Sequence, residues 1–230
     1  MLNLEAYKTY LFALGAKETL PGSTPGKAAP IKPGTLVQLD FTIDPANKPK
    51  PKDIQPVVKF PAGQASGLLT GGGIDDGHLD ISGNGVPPHS LFINAKALGA
   101  ATEEALVQKG AWFGFKASPF AGKTIALERL DFKVQRSNEN SPKQYAVYAE
   151  VDGRTERVGG GDLQNRAGNT NEEFDSYSVD LSQAPSLQKL ARPVTFQIYL
   201  SGATDSPQAP GNVRIDNIIL SGKNAESAGQ

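Results

Sequence analysis

The chain has 230 residues, a formal net charge of −1 and 20% charged residues, a near-neutral balance that excludes strong electrostatic attraction to nucleic acid or anionic lipid. It contains no cysteine, which excludes disulfide frameworks, thiolate metal sites and cysteine nucleophiles. Its 25 Gly and 17 Pro beside 38% hydrophobic residues suit many short strands joined by turns around one full core, and no apolar run reaches the ~18 residues of a membrane span.

Leu4, Tyr7, Leu11 and Leu14 recur at helical spacing before Gly15, so the segment 1–20 is expected to carry a short amphipathic helix. Its first residues lack the basic region and cleavage site of a signal peptide, so the chain reads as a mature fragment or one module of a longer polypeptide. Residues 21–34, dominated by Pro, Gly, Ser, Thr and Lys, read as a linker. A β-domain is expected over 35–222, followed by a disordered tail, 223–230.

Thr35 to Ile43 alternates apolar and polar side chains and is expected to be the first strand of that domain. Further strands are expected at 57–60, 77–82, 90–94, 111–117, 123–136, 144–151, 154–158, 174–181, 194–201 and 212–221. Thr102 as N-cap, with Glu103 and Glu104 following, predicts one or two helical turns to Gln108. Asp152-Gly153 between two alternating runs is the strongest local hairpin signal, because Asp-Gly suits a type I′ turn. Residues 159–171 are polar and Gly-rich and are expected to form a long loop at one end. Strand spacing of about 8–12 residues predicts an all-β, antiparallel jelly-roll sandwich of about ten strands with a short N-terminal helix. The closing run Val213 to Leu220 is expected to lie beside the opening Leu36 to Ile43. It carries Asp216, a carboxylate that needs a partner if buried.

Four stretches carry a family resemblance: Gly110-Ala111-Trp112-Phe113-Gly114-Phe115, Leu127-Glu128-Arg129-Leu130-Asp131-Phe132, Tyr145-Ala146-Val147-Tyr148 leading into Asp152-Gly153, and the closing Phe196-Gln197-Ile198-Tyr199 with Arg214-Ile215-Asp216-Asn217-Ile218. In these the chain resembles the jelly-roll domains of extracellular proteins from Planctomycetes, Verrucomicrobia and bacteria with PEP-CTERM sorting. Such domains are similar in shape to carbohydrate-binding modules and concanavalin-A-like sandwiches. The resemblance implies a structural Ca²⁺ between the first and last strands, held here by Asp40 and Asp216. Since Ca²⁺ takes about 6–8 oxygens, loop carbonyls or Asp75, Asp76 and Asp80 would have to complete the shell. The alternative is that Asp216 caps a turn or pairs with an arginine.

Other constellations are read as bland. Gly71 to Asp80 is a single glycine-aspartate stretch without the stacked copies that complete a calcium-binding repeat. Glu150 and Glu156 flank a turn, so a hairpin would split them, unlike the paired acids of a glycosidase. His78 and His89 lie by loops without a metal-binding helical motif. Sugar binding needs exposed aromatic rings with polar partners. Trp112, out of phase with Phe113 and Phe115, offers one ring, or else fills the second face under the 102–108 segment; Tyr148, Tyr177 and Tyr199 offer others. Asn165, Arg166 and Asn169 are the expected polar partners.

These readings predict a non-catalytic extracellular or cell-envelope module that binds polysaccharide or serves a surface structure. The alternatives are a polysaccharide hydrolase or lyase and a structural subunit of a virion or appendage.

Overall fold

The computed structural model describes residues 34–40, 57–59, 65–72, 79–82, 90–94, 102–164, 174–204 and 211–225. The expected N-terminal helix and linker lie outside the described residues. So do His78 and His89, together with Asp75 and Asp76.

Twelve strands are present among the described residues: β1 (Thr35–Asp40), β2 (Val57–Lys59), β3 (Ala65–Gly72), β4 (Leu79–Ser82), β5 (Ser90–Asn94), β6 (Trp112–Pro119), β7 (Ile125–Arg136), β8 (Gln144–Val151), β9 (Arg154–Asp162), β10 (Asp175–Asp180), β11 (Val194–Ser201) and β12 (Asn212–Asn224). They form two antiparallel sheets. One has seven strands, in the order β10-β7-β12-β1-β2 with β5 paired to β12 and β4 to β5; the other has five, β3-β6-β11-β8-β9. The all-β sandwich expected from strand spacing is therefore the fold.

Alternation builds the core. Phe113, Phe115 and Ala117 of β6 meet Phe196 and Ile198 of β11 and Val147 and Ala149 of β8, all buried. From the other sheet come Leu130, Phe132 and Val134 of β7 and Val213, Ile215, Ile218 and Leu220 of β12. The layers touch where Phe132 meets Tyr145 edge-on at 5.3 Å; Phe115 stacks on Phe196 at 5.1 Å. Each such ring removes ~150–250 Å² from water, and that burial holds the layers together.

The opening and closing strands lie side by side, with Val37 opposite Leu220, Gln38 opposite Ile219 and Leu39 opposite Ile218. On the same flank, β12 first pairs with β5 (Ile215 opposite Leu91) and then with β1. At that change of partner the register slips between Asp216 and Ile219, and Asn217 adopts a positive φ of 50°. Asparagine tolerates this left-handed conformation better than most residues.

Three expectations change. β12 runs through Lys223 and Asn224, expected in the tail, which pair with Ala126 and Ile125 of β7. β3 was not anticipated: Ala65-Ser66-Gly67-Leu68-Leu69-Thr70-Gly71-Gly72 is poor in β-formers, and its order comes from pairing with β6, from Ala65 opposite Pro119 to Gly72 opposite Trp112. β9 continues through Asp162 into the stretch expected to be loop, because Gly159, Gly160 and Gly161 pair with Val147, Ala146 and Tyr145 of β8.

Candidate functional site

The outward face of the five-stranded sheet carries a set of polar and aromatic side chains fixed by hydrogen bonds. Core packing of Phe113, Phe115 and Ala117 sends Trp112, Lys116 and Ser118 of β6 the other way. The same alternation presents Thr195, Gln197 and Tyr199 from β11, Tyr148 and Glu150 from β8, and Thr155 and Arg157 from β9. Register aligns them in rows: Gly114, Gln197, Tyr148 and Arg157 in one, Lys116, Thr195, Glu150 and Thr155 in the next.

One short helix, α1 (Glu103–Lys109), lies over part of this face. Thr102 caps it, accepting from the Ala105 N–H at 3.3 Å, and Gly110 ends it in the left-handed conformation at φ 63°. Leu106, fully buried, joins the core cluster and anchors the helix.

Hydrogen bonds join helix and sheet. Tyr148 donates its hydroxyl to Glu103 Oε1 at 2.7 Å, and Arg157 donates Nε to the same oxygen at 2.8 Å. The adjoining Tyr199 hydroxyl donates to Gln197 Oε1 at 2.9 Å, and Gln197 Nε2 donates to Glu150 Oε2, also at 2.9 Å. Tyr148 and Tyr199 meet edge-on at 5.2 Å. The Arg157 bond pulls the Glu103 carboxyl below its ordinary pKa. Desolvation first, and then the bond to Glu103, push the Tyr148 hydroxyl up to about 12. The arrangement holds hydroxyl, amide and carboxylate groups in set directions beside ring edges.

The anticipated residues separate into groups. Trp112 and Tyr148 share this face, each half-buried against the core. Tyr177 belongs to the seven-stranded sheet, where its ring stacks on Phe132 at 5.8 Å and its hydroxyl accepts from the Gln164 N–H at 2.8 Å. It cannot share a platform with Tyr148. Asn165, Arg166 and Asn169 lie outside the described residues. Glu150 pairs with Thr155 while Glu156 pairs with Ala149, so the two glutamates leave the hairpin on opposite faces, as the turn implied. Sequence reasoning passed over Gln197 and Glu103; period-two alternation could have found Gln197, but no local signal brings Glu103 of a helix to a strand.

β1 and β12 are neighbours as expected, with Asp216 just before their paired stretch. Asp216 is 6% exposed, its Oδ1 accepting from the Asn217 N–H at 2.7 Å, while Asn217 Oδ1 accepts from Gln38 Nε2 at 3.0 Å. Asp40 closes β1, but its side chain lies outside the described residues, as does that of Asp80. Oxygen donors of this kind suit Ca²⁺. Among the described residues, no three His, Cys, Asp or Glu side chains converge.

No family model and no curated protein sequence matches the chain. Several solved structures are similar at low identity. A xylan-binding module shares 15% identity, covering 82% of this chain and 97% of its own, with a TM-score of 0.40. A carbohydrate-binding module studied for specific mannan recognition shares 10%, covering 81% and 95%, with a TM-score of 0.39. A cleaved adhesin domain of Lys-gingipain from Porphyromonas gingivalis shares 16%, covering 71% and 93%, also at 0.39. No helix of the described residues is long and apolar enough to cross a membrane.

Proposed function

We propose that this protein is a carbohydrate-binding module that takes saccharide on the outward face of its five-stranded sheet. The observation that carries this reading is Gln197: 7% exposed on the sheet's outer side, it is fixed between Tyr199 and Glu150. A side chain already ordered loses little further entropy when a sugar hydroxyl binds beside it. Exposed Lys116 and Thr155 and half-buried Thr195 and Glu150 extend the polar row, and Trp112 and Tyr148 supply ring surface. The role is binding rather than catalysis, and the compartment is extracellular or the cell envelope, where polysaccharide is met.

Affinity electrophoresis and calorimetry against a panel of soluble polysaccharides test it. Binding to at least one polysaccharide is expected, weakened about tenfold or more in Gln197→Ala and in Trp112→Ala, the loss of one or two well-made contacts. Unaltered affinity in both variants, or no binding across the panel, overturns the reading.

We further propose a structural Ca²⁺ held by Asp40 and Asp216 with backbone carbonyls around the β12 bulge. Supporting it are the β1–β12 register, which brings the end of β1 to Asn217, and the burial of the Asp216 carboxylate. Melting with and without chelator tests it.

A further inference from the structure

The seven-stranded sheet carries a cavity of 340 Å³ on its own outward face, lined by Arg129, Asp131 and Lys133 of β7, Ser176 and Ser178 of β10, and Asn217 and Ile219 of β12 among others. This is about the lower end of the ~300–1,000 Å³ that small-ligand sites occupy. Strand register builds it: Ser178, Asp131 and Ile219 form one row across three strands, and Ser176 stands opposite Lys133 in the next.

Its charges are not balanced internally. Arg129 Nε pairs with Asp131 Oδ2 at 2.8 Å, whereas Lys133, half-buried, has no ion pair among the described residues. Asp216 lies opposite Lys133 in register but does not line the cavity; it is buried and its Oδ1 is engaged by the Asn217 N–H. The hydroxyls of Ser176 and Ser178 are exposed and make no hydrogen bond among the described residues. With Asn217 Oδ1 occupied by Gln38, the amide nitrogen of Asn217 is left to donate. Ile219, 8% exposed, supplies an apolar wall.

A second observation points the same way. One step along the same face, Gln135 Nε2 and Arg214 Nε are buried donors with no acceptor among the described residues, and Asn212 Oδ1 is a buried acceptor with no donor there, although Arg214 Nη1 donates to Gln135 Oε1 at 2.8 Å. Gln135 is 4% exposed. The cavity lining thus holds one cation, Lys133, with no carboxylate paired to it among the described residues, and the adjacent row adds two buried donors.

We propose that this cavity is a second saccharide subsite, which takes a sugar residue bearing an oxyanion, with the anion on Lys133 and the ring hydroxyls on Ser176, Ser178 and Asn217. A hexuronate carboxylate and a sulfate ester share this chemistry. The subsite lies on the sheet opposite Gln197 and stands independently of the binding face proposed above.

Amide chemical-shift titration of the full chain with sodium glucuronate, glucose 6-sulfate, glucose and sodium sulfate, at matched ionic strength, tests it. Glucuronate, the sulfated sugar or both are expected to shift the amides of Lys133, Ser176, Ser178 and Asn217. Glucose is expected to bind about tenfold more weakly or worse, as loss of a charge-assisted contact implies. Whichever oxyanion binds more tightly identifies the source. Lys133→Gln should weaken binding by a similar factor while its melting temperature and the Gln197 and Tyr148 amides stay unchanged; Ser178→Ala should weaken it less. Equal response to glucose, equal affinity for sulfate alone, no shifts, or indifference to Lys133→Gln overturns the proposal. The Gln197 amide reports the other face separately, so the two readings fail independently.

Discussion

Tyr148 and Glu103, 45 residues apart in sequence, meet at 2.7 Å with the tyrosine hydroxyl as donor, and this bond pins α1 to the outer face of the five-stranded sheet. Desolvation and the neighbouring carboxylate both oppose the phenolate, so Tyr148 is expected to ionise at about 12, above its ordinary value of 10.0. A raised folded-state pKa stabilises the fold fully below the unfolded value. That contribution is lost as pH climbs from 10.0 towards about 12. In Glu103→Gln the Tyr148 pKa should fall only part of the way back, because desolvation, the larger cause, persists. Carbon-detected NMR of the tyrosine rings reads both; a Tyr148 that titrates at its ordinary value in the parent chain would sink the account.

Gly114 sits opposite Gln197, and a Cβ built on it would lie 1.8 Å from the Phe196 carbonyl oxygen. Backbone there cannot yield without parting β6 from β11. Gly114→Ala is expected to lower stability by about 1–3 kcal/mol, the usual cost of overpacking, and to weaken the proposed saccharide face through Gln197. Chemical denaturation measures the first effect.

The hairpin turn is testable in isolation from the core. Asp152 and Gly153 have φ of 53° and 74°, and Val151 pairs with Arg154 across them. Nothing lies within 4 Å of a Cβ built at Gly153, so Gly153→Ala should cost only the backbone term, about 1 kcal/mol. A loss several times larger in thermal melting would mean that the turn carries contacts beyond its own conformation. The Arg192–Asp152 ion pair, 3.0 Å long and well exposed, adds little.

Removal of the proposed Ca²⁺ makes a separate prediction. Chelator should lower the melting temperature of the parent chain, and Asp216→Asn should melt at the lower temperature with or without chelator. Identical melting of the parent in both conditions removes the ion from the structure.

Much of the architecture was legible in the residues. Asp152-Gly153 announced its hairpin because a two-residue turn with positive φ admits few residue types. Thr102 and Gly110 bracket α1 by the ordinary chemistry of helix ends. β8 and β11 have the expected bounds, since alternation over eight residues leaves little ambiguity about which face is buried. The neighbourhood of β1 and β12 also followed from their apolar patterns.

What period and propensity could not supply was pairing. β3 has almost no intrinsic β-preference and is a strand because β6 offers it a ladder. Trp112 and Tyr148 share a face while Tyr177 does not, because sheet membership is assigned by long-range hydrogen bonding rather than by any local pattern. The Glu103–Tyr148–Arg157 cluster joins a helix to two strands, and the cavity at Lys133 draws on three. Local sequence determined where each strand runs and which side it buries. Only the closing of the two sheets decided which side chains meet, because a contact between distant residues forms when burial of the whole core outweighs the entropy of bringing them together.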